Sequence, residues 1–174
     1  MADAQILFSE HRDGVFRYLS RIVGQAETAN ELTQEVFLRA CRAPVTGATA
    51  VERRAWVFKI ARNLALNHLR DVRRRPETVE LTEAARPATQ ELSVALQQAL
   101  AALPDLDRDV FLMKETVGLS YDEIASACDV TVDAVRARLH RARVQLREAL
   151  GRQVEDRRAC GVRIGRRQPE GSDD

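Results

Sequence analysis

Gly118-Leu119-Ser120-Tyr121-Asp122-Glu123-Ile124-Ala125-Ser126-Ala127-Cys128-Asp129-Val130-Thr131-Val132-Asp133-Ala134-Val135-Arg136-Ala137-Arg138-Leu139-His140-Arg141-Ala142-Arg143-Val144-Gln145-Leu146-Arg147-Glu148-Ala149-Leu150 is the stretch that decides the fold. Its first half reads as a helix of about two turns. Ser120 is placed to cap it, Asp122 and Glu123 suit its positive start, and Tyr121, Ile124, Ala125 and Cys128 share one face. Asp129 falls where the chain must swing round in a left-handed conformation, which Asp tolerates better than most residues. Thr131 is placed to cap a second helix. There Val132, Val135, Leu139, Ala142 and Leu146 follow the spacing of a buried stripe, while Arg136, Arg138, Arg141, Arg143 and Arg147 supply charge around the other faces. No acidic residue interrupts Arg136 to Arg147. A short positioning helix, a tight turn and a longer Arg-rich helix form a helix-turn-helix, whose second helix can enter the major groove and use Arg on guanine or phosphate. The competing reading is an ordinary helical hairpin with a solvated basic face.

A chain of 174 residues, 45% hydrophobic but only 5% aromatic, suits helical bundles better than β-sandwiches, so an all-α protein is expected. No apolar run approaches the ~20 residues needed to span a bilayer, and Met1-Ala2-Asp3-Ala4-Gln5 lacks the basic start and apolar core of a signal peptide. A cytoplasmic protein without membrane insertion is expected. Cys41, Cys128 and Cys160 are far apart and match no spacing with His11, His68 and His140, so neither a zinc site nor a disulfide framework is suggested. Cys41 and Cys128 read as small buried apolar residues.

The formal net charge is only +1, but the sign is segregated along the chain. Arg53 to Arg75 carries eight basic residues against the single acid Asp71, whereas Pro76 to Glu91 has four Glu against Arg86. Two basic faces are expected, separated by an acidic connector. The basic residues are nearly all Arg, with Lys only at Lys59 and Lys114; this suits phosphate recognition, and equally a GC-rich genome.

Upstream, Phe8, Val15, Leu19, Ile22 and Val23 mark a first amphipathic helix that Gly24 stops. A second begins near Glu27 with Ala29, Leu32, Val36, Phe37 and Ala40 as its stripe and Glu31, Gln34, Glu35 and Arg39 on its polar face. Ala43 to Val51, holding Pro44 and Gly47, reads as a loop of functional length. From Glu52 to about Arg74 a long helix turns Val57, Ile60, Ala61, Leu64 and Leu69 inward, and Arg53, Lys59, Arg62, Asn63, Asn67, Arg70 and Arg73 outward. Trp56, in its first turns, is either a core residue or a platform on which an unpaired base stacks. Leu92, Leu96, Ala99, Leu100 and Leu103 give a helix stopped by Pro104, and Asp105 to Glu115 gives another.

Two sets of motifs resemble the extracytoplasmic-function sigma factors of the sigma-70 family. Leu103-Pro104, Asp109-Val110-Phe111-Leu112, Gly118 to Ala125 and Val135 to Arg143 are similar to the family's fourth region. Glu31 to Ala40 and Arg54 to Ala65 are similar to its second. The resemblance implies two small helical domains, a region 2 bundle over residues 4–75 and a region 4 helix-turn-helix domain over 92–151. Composition places a flexible acidic linker over 76–91 between them, and residues 152–174, which mix Arg, Gly, Glu and Asp without a stripe, are expected to form a disordered tail. It also implies a non-enzymatic subunit without cofactor that binds core RNA polymerase and promoter DNA, with an anti-sigma factor as a further partner left open. By position, Glu31, Gln34, Glu35 and Arg39 correspond to the polymerase-docking face, Trp56, Lys59, Arg62, Asn63, Asn67 and Arg70 to the reader of the melted proximal element, and the Ala43 to Val51 loop to a pocket for a flipped base. Lys114, Thr131, Arg136, Ala137, Arg138, His140 and Arg141 correspond to the distal-element reader. Asn30, Asn67, Asp129 and Thr131 depart from residues frequent in the family. The alternative is a one-component helix-turn-helix regulator that acts on a symmetric operator without polymerase. An enzyme acting on nucleic acid has no support, because paired carboxylates, a Ser-His pair and a metal-ligand set are all missing from the sequence.

Overall fold

In the computed structural model residues 2–42, 49–74 and 88–164 are described, with side chains placed for 6–42, 49–74 and 94–152. Seven helices and no strand occur among the described residues: α1 Ala2–Val23, α2 Ala26–Arg42, α3 Ala50–Arg74, α4 Ala88–Ala101, α5 Asp105–Glu115, α6 Tyr121–Cys128 and α7 Val132–Ile164.

Local chemistry accounts for most of the boundaries. α1 stops because Gly24 takes φ +77°, which costs a glycine nothing, and its N–H closes back on Ser20 O at 3.1 Å. α3 starts at Ala50, two residues before the expected Glu52, because Thr49 and Glu52 form a reciprocal cap. The Thr49 amide donates to Glu52 Oε2 at 2.7 Å and the Glu52 amide to Thr49 Oγ1 at 3.2 Å. Hydrogen bonding to the Thr49 amide, and to the Thr49 side chain, holds the Glu52 carboxyl below its usual range. α6 begins with the same device, Ser120 and Glu123 capping each other, and ends at Asp129 with φ 55° and ψ 47°, the left-handed turn expected of it. Thr131 Oγ1 accepts from the Ala134 amide at 3.2 Å and opens α7.

Two further boundaries differ from expectation. α4 begins at Ala88 rather than Leu92, since Ala88-Thr89-Gln90-Glu91 can form a first turn before the apolar stripe begins. α7 continues through residues 152–164, where a disordered tail was expected. That segment lacks a stripe, but it is rich in Arg and contains no proline, so propensity carries the helix on. Most of the connector (75–87), most of the Ala43 to Val51 loop (43–48) and the chain end (165–174) lie outside the described residues.

α1, α2 and α3 pack together around Val15, Leu19, Ala29, Val36, Phe37, Val57 and Ala61; α4 to α7 pack around Leu100, Leu112, Met113, Leu119, Ile124, Val135, Leu139 and Ala142. Each large apolar side chain buried in this way contributes about 1.5–3 kcal/mol. The two units are not held apart as separate basic faces: α3 lies along α6, α1 touches α5, and the buried apolar residues form one continuous cluster. On α1 the inward set also shifts. Leu7 and Tyr18 are buried, while Phe8 is exposed and meets Phe37 edge-on with ring centroids 5.0 Å apart. Cys128 is buried as expected, but Cys41, next to the last residue of α2, is exposed.

Candidate promoter and polymerase interfaces

Three surfaces hold the residues singled out from sequence. The first is the outer face of α7. Arg136, Ala137, His140 and Arg141 are exposed on its early turns, while Val135, Leu139, Ala142 and Leu146 bury the opposite side. Thr131 sits at the helix start as its cap. The arginines are not free of acids, as the uninterrupted run in sequence suggested. Asp107 of α5, whose side chain is only 3% exposed, accepts Arg138 Nη1 at 2.8 Å and Arg141 Nε at 3.2 Å. Arg136 pairs with Asp133 at 2.9 Å and lies over the Tyr121 ring, 5.6 Å from its centroid. Lys114 is turned toward its own unit. Its Nζ donates to Leu119 O at 3.2 Å and stands 4.8 Å from the Tyr121 ring centre, so the side chain braces the turn before α6.

The second surface is α3. Asn63, Asn67 and Arg70 are exposed, with Arg70 Nη1 donating to Asn67 Oδ1 at 3.2 Å. Trp56 is half-buried against the apolar cluster, a position compatible with either role read from sequence. Arg62 is not outward, contrary to its expected orientation. It is 17% exposed and donates Nε to Asp109 Oδ2 at 2.8 Å, while the Tyr18 hydroxyl donates to Asp109 Oδ1 at 2.9 Å. Asp109 is a buried carboxylate shared by α1, α3 and α5. Burial pushes its carboxyl above the usual range, outweighing Arg62 and Tyr18, and burial together with the Asp109 charge raises the Tyr18 hydroxyl well above its own. Lys59 is tied to Asp129 at 2.6 Å. Arg54 donates Nη2 to Val117 O at 3.1 Å and approaches the buried Glu123 carboxylate at 3.5 Å. The inner edge of α3 is therefore neutralised by acids of α5 and α6.

The third surface is α2. Glu31, Gln34 and Arg39 are exposed and Glu35 is partly so, its Oε1 accepting Arg39 Nε at 2.6 Å. Leu38, 51% exposed, extends the line of Glu31, Gln34 and Glu35 at helical spacing and gives that polar face an apolar centre. Sequence reading placed Leu38 in a motif without assigning it a surface. It also missed Tyr18, Arg54, Asp107, Asp109 and Glu123, because a polar residue that turns inward looks the same in sequence as one that is solvated. Among the described residues no group of His, Cys, Asp and Glu is arranged to hold a metal ion, and no helix is long and apolar enough to cross a membrane.

Comparison with known proteins assigns both units. Residues 7–75 match the sigma-70 region 2 model and residues 93–146 the sigma-70 region 4 model. The chain is 34% identical over 160 residues to the ECF RNA polymerase sigma factor SigE of Mycolicibacterium smegmatis, covering 84% of this chain and 61% of that protein. It is 33% identical over 153 residues to the ECF RNA polymerase sigma factor SigL of Mycobacterium tuberculosis, covering 83% of this chain and 86% of that one. In fold it is similar to the sigma factor RpoE solved in complex with the anti-sigma factor NepR from Bartonella quintana, with a TM-score of 0.67 and 21% identity over 87% of this chain and 98% of that chain.

Proposed function

The chain belongs to the extracytoplasmic-function sigma factors of the sigma-70 family, the RNA polymerase subunits that direct transcription initiation, and from that premise we propose which of its surfaces do the work. The α2 face of Glu31, Gln34, Glu35, Leu38 and Arg39 docks on core polymerase in the cytoplasm. α3 presents Trp56, Asn63, Asn67 and Arg70, joined by Lys59 and Arg62, to the melted proximal element. The outer face of α7 reads the distal element in the major groove. The observation that carries this reading is the one-sided α7: its inner stripe is core, and its outer face is exposed and cationic over the turns that a groove admits.

The free chain is not ready for all of these contacts. Lys59 and Arg62 are paired with Asp129 and Asp109, so the inner part of α3 becomes available to single-stranded DNA only when α5 and α6 move off it. We propose that docking on core polymerase separates the two units and holds them at promoter spacing, so that two weak contacts become one strong one. Linked sites of this kind gain about 10²–10⁴ in affinity. The testing experiment is titration of the labelled chain with purified core polymerase, followed by run-off transcription. Complex formation and promoter-directed initiation support the reading. Absence of a complex, with tight binding of the free chain to a palindromic duplex, would establish the one-component regulator instead.

A further inference from the structure

Asp107 stands out among the charged groups because its burial has no counterpart in the folding of its own helix. It lies in the first turn of α5, and its carboxylate bridges two arginines on α7, accepting Arg138 Nη1 at 2.8 Å on Oδ1, and Arg141 Nε at 3.2 Å on Oδ2 and Nη2 at 3.5 Å on Oδ1. Burial would raise the Asp107 carboxyl, but the hydrogen bonds from Arg141 and Arg138 prevail and hold it below the usual carboxylate range, so it is an anion at neutral pH. The two arginines are unequally placed. Arg138 is 30% exposed and has a buried Nε, whereas Arg141 is 51% exposed on the outer face of α7.

We propose that Asp107 is a positioning residue for promoter readout, holding the Arg141 guanidinium in the orientation in which it grips a guanine of the distal element. The inference rests on the assignment of the outer α7 face to that element.

The guanidinium plane is rigid, so fixing Nε and Nη2 from behind fixes the direction of every other donor. Both Nη1 hydrogens and one on Nη2 are left facing outward, which is the fork that fits guanine O6 and N7. Arg138, anchored to the same carboxylate, fixes the carboxylate in turn. One anion between two cations leaves the patch net positive, so attraction to phosphate persists while the fork loses its freedom before DNA arrives. An arginine ordered in advance forfeits less rotamer entropy on binding, an effect worth about threefold to tenfold for one side chain.

The test uses full-length chain in holoenzyme with core polymerase and a duplex library that carries a premelted bubble and a randomised upstream window, so that the preferred bases emerge from selection. Asp107→Asn keeps the shape and removes the charge. It should flatten the base preference by about threefold to tenfold at the same position where Arg141→Ala flattens it, and should add nothing in the Arg141→Ala background. Overall retention of DNA should not fall, because the patch gains one net positive charge. If Asp107→Asn is unfolded at the assay temperature, Asp107→Glu serves in its place; it keeps the charge but displaces the fork, and should weaken the same position. A parental preference map in these variants, or an equal loss with Arg141 already removed, overturns the inference. If Arg141→Ala itself leaves every preference intact, the assignment of the α7 face fails, and the role of Asp107 fails with it.

Discussion

Replacing Asp109 with Asn should weaken the fold and strengthen DNA binding by the free chain at the same time. Asp109 is 1% exposed and joins three helices through the Tyr18 hydroxyl and Arg62 Nε. In D109N the amide can still accept from Tyr18, but the charge that offsets Arg62 is gone. Breaking a buried ion pair costs about 3–5 kcal/mol when the remaining charge is sealed from water. Arg62 keeps 17% exposure, so the loss should sit nearer the ~1.5–3 kcal/mol of a charged hydrogen bond. At this chain length that corresponds to a fall in Tm of roughly 5–10 °C. Because the pair spans α3 and α5, the same loss opens the units and frees Arg62 and, beside it, Lys59. A binding-competent state that is only partly populated gains apparent affinity in proportion to its population. Free D109N should therefore bind a single-stranded non-template oligonucleotide about threefold to thirtyfold more tightly than the parent. Circular dichroism melts and fluorescence anisotropy at 20 °C read the two effects. A lower Tm with unchanged affinity would refute the idea that this pair conceals a DNA-binding surface; an unchanged Tm would refute its structural weight.

Three further outcomes follow from the same geometry. Charge reversal at Glu35, which is partly exposed and paired with Arg39 one turn away, should weaken binding to core polymerase in a pull-down at least tenfold while shifting Tm by no more than about 2 °C; loss of the fold would mean that the face is structural. Tyr18→Phe leaves Asp109 paired with Arg62 and should cost about 0.5–1.5 kcal/mol in urea unfolding, less than D109N; an equal cost would mean that the hydroxyl, not the ion pair, holds the junction. Cys128 is pushed up to about 12 by burial, so as the pH rises from 7 to 9 it stays a thiol and should resist alkylation in the native protein. Exposed Cys41 should instead be alkylated throughout, as peptide mass mapping would record; early labelling of Cys128 would mean that α6 opens readily.

The elements legible in sequence were those whose signal is local. Ser120, Asp129 and Thr131 announced the ends of α6 and α7 because caps and left-handed turns depend on a few neighbouring atoms. The α7 stripe was legible because burial on one side of a helix recurs every three or four residues. What could not be read was where the polar residues face once the units meet. Arg62 and Asn63 look alike on a helical wheel, yet one reaches a buried carboxylate 47 positions away and the other faces solvent. Asp107 likewise answers an Arg-rich run that appears free of acids in sequence, across a separation of 34 positions to Arg141. The expectation of two separated basic faces failed for the same reason. It summed charge along the chain, whereas Asp109, Glu123 and Asp129 cancel α3 through space. The continuation of α7 to Ile164 escaped notice because a helix without a stripe leaves only propensity to detect it.

The central claim, that this chain directs promoter melting only when core polymerase has separated its two units, is tested most directly by permanganate reactivity of thymines in promoter duplex at physiological salt. The account predicts no reactive thymines and little sequence-specific retention with the chain alone, and a localised patch of reactive thymines when core polymerase is added. Tight, specific protection of duplex DNA by the free chain, with the same pattern when polymerase is present and no reactive thymines in either case, would contradict it.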